Sequence, residues 1–479
     1  MGVPKSEIGI YTSEIISNTP ANGGRAGNAL VSGGMNNFFD VVFEEDRIAG
    51  ITRYRKGFLR NKSTLNDMMH VPKIYMSNPT FAGDYYQLAL GTPENTQADV
   101  EASEPLWVGT GSLVDPLVGG ETSLDVTMEA DTFNWLPGEQ VFIANRYMKG
   151  QTKAADVRVG DSVENTEADP ANMDIGTWEK VAFSEEFLYP YGRYTGNSVI
   201  TITPTQSKEL AIIKDTQIAG EDIGTGDGIS SSPTLTALAD AATGLLGNNY
   251  RPVITTLSGA AEKTITVGDD GICTGDCSAG ELNMADGTWV VNPVWTSAPD
   301  AGEDILISYA RKPFVYAGNV ATIELEYGVQ NAYPVAADTH VSHCVMQTEI
   351  IPSWSDYSDT AVSGSYDVAG FPPELTCKGT VTDTFHFDFT NGTNFTCTGV
   401  KSGLIGSGTI TADFEPINTA EGAAYLALRL GGWTGSFSAG DRVTIKTWQA
   451  SMPFWLKEIV PPGSNFTENN TTEICWLYQ

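Results

Sequence analysis

The feature that most constrains this chain is its rhythm. Short runs of alternating apolar and polar residues are split, again and again, by Gly, Asp and Asn. Thr382-Asp383-Thr384-Phe385-His386-Phe387-Asp388-Phe389 is the clearest run, with Phe385, Phe387 and Phe389 on one side and Thr384, His386 and Asp388 on the other. Successive side chains of a strand point to opposite faces, so such a run sets one face on a core and the other in water or against a partner. Residues 198–203 and 321–326 read the same way. The 50 glycines suit the tight turns between such strands, because Gly accepts positive φ freely. Helical spacing is scarce, and the best helix candidate is the Ala- and Leu-rich stretch 235–246, closed by Gly247-Asn248-Asn249. The expectation is an all-β fold of two or three sandwich- or barrel-like β domains with an extended N-terminal arm.

At ~150 residues per domain, 479 residues suggest about three. The arm spans 1–40, where Asn22-Gly23-Gly24 and Ser32-Gly33-Gly34 disfavour helix, and residues 38–43 resemble a strand. An N-terminal β domain follows over 41–155. A middle β domain covers 156–312, with a Gly- and Asp-rich inserted region at 217–280, and a C-terminal β domain covers 313–479. Gly138-Glu139, Gly302-Glu303 and Gly440-Asp441 each open an apolar run, by turn chemistry alone or by duplication of a β unit. With 10 Trp, 18 Tyr and 19 Phe the chain has ample surface to bury, which excludes intrinsic disorder.

Charge narrows the function classes. The 27 basic and 59 acidic residues leave a net charge of −32. General binding to duplex DNA needs Lys and Arg to displace counterions, so it is excluded, as is binding to anionic membranes. The acidity serves solubility, or it makes a surface that DNA passes without sticking. No run approaches the ~18 apolar residues of a membrane helix. Residues 1–30 are polar and Gly-rich without a secretory core, which places synthesis in a cytoplasm.

Against this background one basic cluster stands out: Arg47, Arg53, Arg55, Lys56, Arg60 and Lys62, between strand-like residues 51–56 and 71–76. It is a solvated strand face, or a contact onto an acidic neighbour. On the second reading Arg53, Arg55, Lys56 and Arg60 form a subunit interface with another copy of the chain.

Catalytic and metal signatures are thin. Cys273, Cys277, Cys344, Cys377, Cys397 and Cys475 are sparse; Cys273 and Cys277 lack the second ligand pair of a zinc knuckle and read as free thiols ahead of a local disulfide. His340 and His343, beside Cys344, fall on opposite faces of a strand, a poor arrangement for one metal. No nucleophile elbow or phosphate loop occurs. The acidic turns at 220–228 and 269–276 do not match EF-hand spacing. Glycosylation sequons at Asn391, Asn394, Asn465 and Asn470 would go unused without a secretory signal. No catalytic residue, cofactor or metal is expected. The rival class is a receptor- or glycan-binding tail protein, whose sugar groove would show paired carboxylates beside an exposed Trp.

Three segments carry a resemblance. Ser6-Glu7-Ile8-Gly9-Ile10-Tyr11-Thr12-Ser13-Glu14, Arg53-Tyr54-Arg55-Lys56-Gly57-Phe58-Leu59-Arg60-Asn61 and Pro453-Phe454-Trp455-Leu456-Lys457-Glu458-Ile459-Val460-Pro461-Pro462-Gly463 resemble virion structural proteins of tailed bacteriophages, of the Mu-like prophage and transposable siphophage group. The resemblance implies a location in the virion and partners among copies of the same chain and other virion proteins. Its most specific form is a major tail tube subunit, assembled as stacked rings, trimeric if each chain holds two tube domains, around an acidic lumen through which DNA slides. A distal tail or baseplate part, a neck component and a capsid-surface protein stand as alternatives.

Overall fold

The computed structural model describes residues 3–31, 38–76, 84–103, 105–127, 140–145, 151–152, 201–202, 207–211, 216–247, 250–312, 314–329, 333, 339–464 and 474–478. The fold is all-β, built of several sheets; helix among the described residues is confined to Glu44–Ala49, Gln97–Ser103 and short 3-10 turns. Contacts divide the chain into two units: residues 1–108 with 344–479, and residues 109–343 between them.

The first unit holds two five-stranded antiparallel sheets. One runs, in spatial order, Gly23–Leu30, Ile8–Ile15, Ile51–Asn61, Ser451–Val460 and Tyr85–Leu90. Its centre is the pairing of Ile51–Asn61 with Ser451–Val460, in register from Ile51 opposite Val460 to Arg60 opposite Ser451. Leu59, Met69, Ile74, Leu88, Met452, Phe454 and Leu456 form the core on it. Gly57 faces the Phe454 ring so closely that a Cβ would lie 2.4 Å from Cζ, so only glycine lets that ring lie on the backbone. The second sheet runs Ser353–Asp359, Arg442–Trp448, Asp383–Phe389, Asn394–Gly399 and Gly403–Thr409. Burial alternates residue by residue along Asp383–Phe389. Phe385, Phe387 and Phe389 turn inward against Phe395, Phe414, Trp433 and Phe437, and the Phe389 and Phe437 rings stack at 3.8 Å. At about 1.5–3 kcal/mol for each fully buried ring, this cluster is a main source of stability for the sheet.

The second unit holds two larger sheets and two small two-stranded ones. In one larger sheet, Ser207–Ala211, Gln140–Asn145, residues 339–343, Thr110–Leu113, Ser123–Thr127, Val320–Glu324 and Phe314–Ala317 lie side by side. Leu124, Val126, Val141, Ile143, Ile323 and Val341 fill its core. The other runs Gln217–Thr225, Asp304–Ala310, Val253–Ser258, Ala261–Val267 and Cys273–Gly275, over a core of Ile223, Ile254, Ile265, Trp295, Ile305 and Ile307.

Several expectations are corrected. The described residues of 1–40 do not form an extended arm: Ile8–Ile15 and Gly23–Leu30 are sheet strands, and Ile8–Ile15 pairs with Ile51–Asn61 from Ile8 opposite Asn61 to Thr12 opposite Gly57. Residues 38–43 are irregular instead of a strand. Residues 235–246 are not a helix. The Leu238, Leu245 and Leu246 amides donate to Gly287, Met284 and Ala310 carbonyls, so distant partners replace the i−4 ladder while Leu235, Leu238 and Leu245 still reach the core. The 217–280 region is no peripheral insert, since it supplies four of that sheet's five strands; its glycines make turns, as at Gly259, φ 61°. The unit boundaries fall at 108/109 and 343/344, away from 312. The expected boundary at 155, Ser32-Gly33-Gly34, Gly138-Glu139, Asn248-Asn249, residues 198–200 and 203, and the sequons at Asn465 and Asn470 lie outside the described residues.

Candidate functional site

Arg53, Arg55, Lys56 and Arg60 of the basic cluster sit on Ile51–Asn61, the middle strand of its sheet, while Arg47 lies on the helix Glu44–Ala49 and Lys62 just past the strand. A middle strand has both edges paired, and here both faces are covered as well. Arg53 and Arg55 are 4% exposed, Lys56 and Arg60 only 1%. Buried cations need partners, and each has them within its own unit. Arg53 Nε donates to Glu458 Oε2 at 2.5 Å, Tyr86 donates its hydroxyl to Glu458 Oε1 at 2.6 Å, and Arg53 Nη2 reaches the Asp40 carbonyl. Arg55 donates to Asp40 Oδ2, Asn18 Oδ1 and the carbonyls of Ser17 and Phe38. Lys56 Nζ donates to the Gly24 and Asn95 carbonyls at 2.6 and 2.8 Å, and sits over the Phe58 and Trp455 rings. Arg60 and Lys62 both pair with Glu421, and the Arg60 guanidinium covers the Tyr11 ring at 4.6 Å.

Burial pulls the pKa of Arg55 and Arg60 below the usual guanidinium range, opposed by Asp40 and Glu421 respectively. It lowers Lys56 to about 7. The four residues therefore fasten residues 17–18, 24, 38–41, 95 and 421 to the sheet. The interface reading of Arg53, Arg55, Lys56 and Arg60 is replaced by an internal one: the acidic partners are Asp40 for Arg55, Glu421 for Arg60 and Glu458 for Arg53, the last directly opposite it in the strand register.

The remaining candidates are likewise occupied. His340 and His343 are buried in Thr339–Met346, with His340 Nδ1 3.3 Å from Ser112 Oγ. Among the described residues no three His, Cys, Asp or Glu side chains gather to hold a metal. Cys273, Cys277, Cys377 and Cys397 are free thiols, and burial pushes Cys273 up to about 12 and Cys377 up to about 11, away from thiolate chemistry. The acidic turns spend their carboxylates on turn amides: Asp227 accepts from Ile229 and Ser230, Asp270 from Ile272. A cavity of about 370 Å³ is lined by Ile351, Pro352, Ser353, Trp354, Pro373, Leu375 and Asn66, with no carboxylate among them.

One feature passed over in the sequence is the hairpin of Asn394–Gly399 and Gly403–Thr409. Buried Asp383 accepts the N–H groups of Thr384, Lys401 and Ser402 at 2.8, 3.0 and 2.7 Å, which fixes the connecting turn. Gly408 and Gly406 lie opposite Phe395 and Cys397; a Cβ on Gly408 would stand 2.6 Å from the Phe395 and Phe414 rings. Gly403–Thr409 pairs on one side only and ends the sheet. Its outer edge takes no backbone hydrogen bond from another described segment. Val400 and Leu404 at its tip are 61% and 69% exposed. From 389 to 412 the sole charged residue is Lys401, in a chain with 18% charged residues. That charge gap is visible in the sequence; the open edge is not.

No helix among the described residues is long and apolar enough to cross a membrane. In comparisons with known proteins, no protein-family model and no curated protein matches this chain.

Proposed function

We propose that this chain is a non-enzymatic structural subunit of a tailed-phage virion, in its most specific form a tail tube subunit that stacks in rings around an acidic, DNA-conducting lumen. The observation that carries the reading concerns the three segments behind the phage resemblance. They fall on Ile8–Ile15, Ile51–Asn61 and Ser451–Val460, three neighbouring strands of one sheet, although hundreds of residues separate the last from the others. A likeness scattered along the chain thus converges on one structural element.

The charge distribution supports the tube form. Among the described residues Arg53, Arg55, Lys56, Arg60 and Lys73 are buried, against the acids Asp84, Asp383 and Glu458. Among the described residues more cations than anions are withdrawn from solvent, which leaves their accessible surface more acidic than their composition alone. A surface of that net charge repels phosphate, and the one basic cluster of the sequence is largely withdrawn from it. Among the described residues of 1–40 the expected arm is sheet strand, so ring-to-ring contacts would come from the folded surface.

The test is electron microscopy of the purified protein at rising concentration, with gold-labelled antibody against it on intact particles. Long tubes of repeating rings and label along the tail are the expected result. Label confined to one tail end would move the subunit to the baseplate or neck, and a persistent monomer absent from particles would overturn the reading.

A further inference from the structure

We infer that the outer edge of Gly403–Thr409 is a docking site for a strand from a second copy of this chain, extending the five-stranded sheet across the contact. The inference rests on the reading of the chain as a self-assembling subunit, and it names where the subunits meet.

An unpaired edge presents a row of N–H and C=O groups that template another strand, and proteins that stay apart blunt such edges with charge, proline or bulges. The opposite edge of the same sheet is blunted in this way. Ser353–Asp359 carries Asp356 and Asp359, its register shifts between Ser355 and Ser358, and Asp356 sits at φ 53°. The Gly403–Thr409 edge, Gly-Leu-Ile-Gly-Ser-Gly-Thr, has neither charge nor proline; its one register shift leaves Ile405 as the extra residue, and the ladder from Gly406 to Thr409 is regular. At Gly403 an added Cβ would meet nothing within 4 Å, so the start of the edge is open to close approach of another backbone, while Gly406 and Gly408 turn their Cα faces to the Phe414 ring. The turn feeding the edge is pinned by Asp383, so ordering it on contact costs little.

Charge selects the occupant. A basic partner would be drawn to the acidic remainder of the surface. A strip free of acid from 389 to 412 instead favours a partner that is repelled everywhere else, one as acidic as this chain itself. Val400 and Leu404 add apolar surface at the tip for that partner to cover.

The experiment compares full-length wild type with the double variant L404E/S407E by sedimentation across a concentration series. Leu404 and Ser407 are both exposed, so the monomer fold should persist, as read by circular dichroism and melting temperature. The variant should need a concentration higher by about tenfold or more for half-association, because like charges then face each other across the pairing edge. The control Ser358→Glu on the blunted edge should associate as wild type does. Hydrogen exchange adds a readout without substitution: the amides of 403–409 should gain protection in the wild-type assembly. If wild type assembles and L404E/S407E assembles equally well, with 403–409 unprotected, the docking site is refuted while the subunit reading stands. If wild type stays monomeric at high concentration, both fail together.

Discussion

Lys56 shows how a single residue sets a measurable property of the whole chain. Its amine lies between two aromatic rings with two carbonyls as acceptors, and burial lowers its pKa to about 7. In the unfolded chain the same amine titrates near 10.4. Between about pH 7 and 10.4 the unfolded state therefore holds a proton that the folded state has shed, so this group's contribution to stability rises with pH across that window. Lys56→Met removes the titration and strands the Gly24 and Asn95 carbonyls, which should cost roughly 1–3 kcal/mol near pH 7. Chemical denaturation at several pH values should show wild type gaining on the variant from pH 7 to 10; a constant difference would contradict the assignment. Glu458 offers a second test. Glu458→Ala leaves Arg53 buried without its carboxylate and should cost about 3–5 kcal/mol, whereas joint replacement with Arg53→Met should recover much of the loss. A double variant no more stable than Glu458→Ala would show that the pair is not coupled. The sequence displayed these cations but not their partner, because Glu458 is 405 residues from Arg53 and no local pattern announces such a pairing.

Element by element, legibility follows the range of the forces involved. Alternation is local, so Asp383–Phe389 could be read residue by residue and its three Phe rings point where the spacing requires. Gly302 and Gly440, at φ 81° and 96°, precede strands as the turn chemistry implied. The stretch 235–246 departs from the helix its composition favours because helix propensity is a weak prior, and tertiary hydrogen bonds to residues 284, 287 and 310 override it. Strand order was not legible at all: an edge strand and a central strand share the same alternation and differ only in what lies beside them. Glycines in one strand can be separated in the same way. Gly408→Ala drives a methyl into the Phe395 and Phe414 rings and should cost about 1–3 kcal/mol by overpacking. Gly403→Ala meets nothing within 4 Å but holds a residue at φ 71°, so its cost of roughly 1 kcal/mol is conformational. Thermal melts of the two variants should rank Gly408→Ala the less stable, and the reverse order would mean the aromatic cluster yields more readily than its packing implies.

At the scale of the whole molecule the decisive fact is that residues 109–343 are inserted into a unit whose own sequence is interrupted. No composition shift marks 108 or 343, which is why the sequence suggested consecutive domains. The insertion leaves and returns at one place: the His343 amide donates to the Gly109 carbonyl at 3.1 Å, so the two ends of the inserted segment lie side by side. Chain ends that meet in this way permit excision, because closing a short gap costs little loop entropy. The cores support it too, since the side chains on the Ser451–Val460 sheet and the aromatic cluster of Asp383–Phe389 all come from 1–108 and 344–479. Joining Val108 to Cys344 by a few Gly and Ser residues should therefore yield a protein that retains a strand-dominated circular dichroism spectrum and melts cooperatively. Because the uncharged Gly403–Thr409 edge belongs to this unit, the shortened protein should also show the concentration-dependent association proposed above for the full chain. Loss of cooperative melting would show that the first unit depends on the insertion for folding. Retained folding with association abolished would shift the subunit contact to residues 109–343 and away from the strand edge.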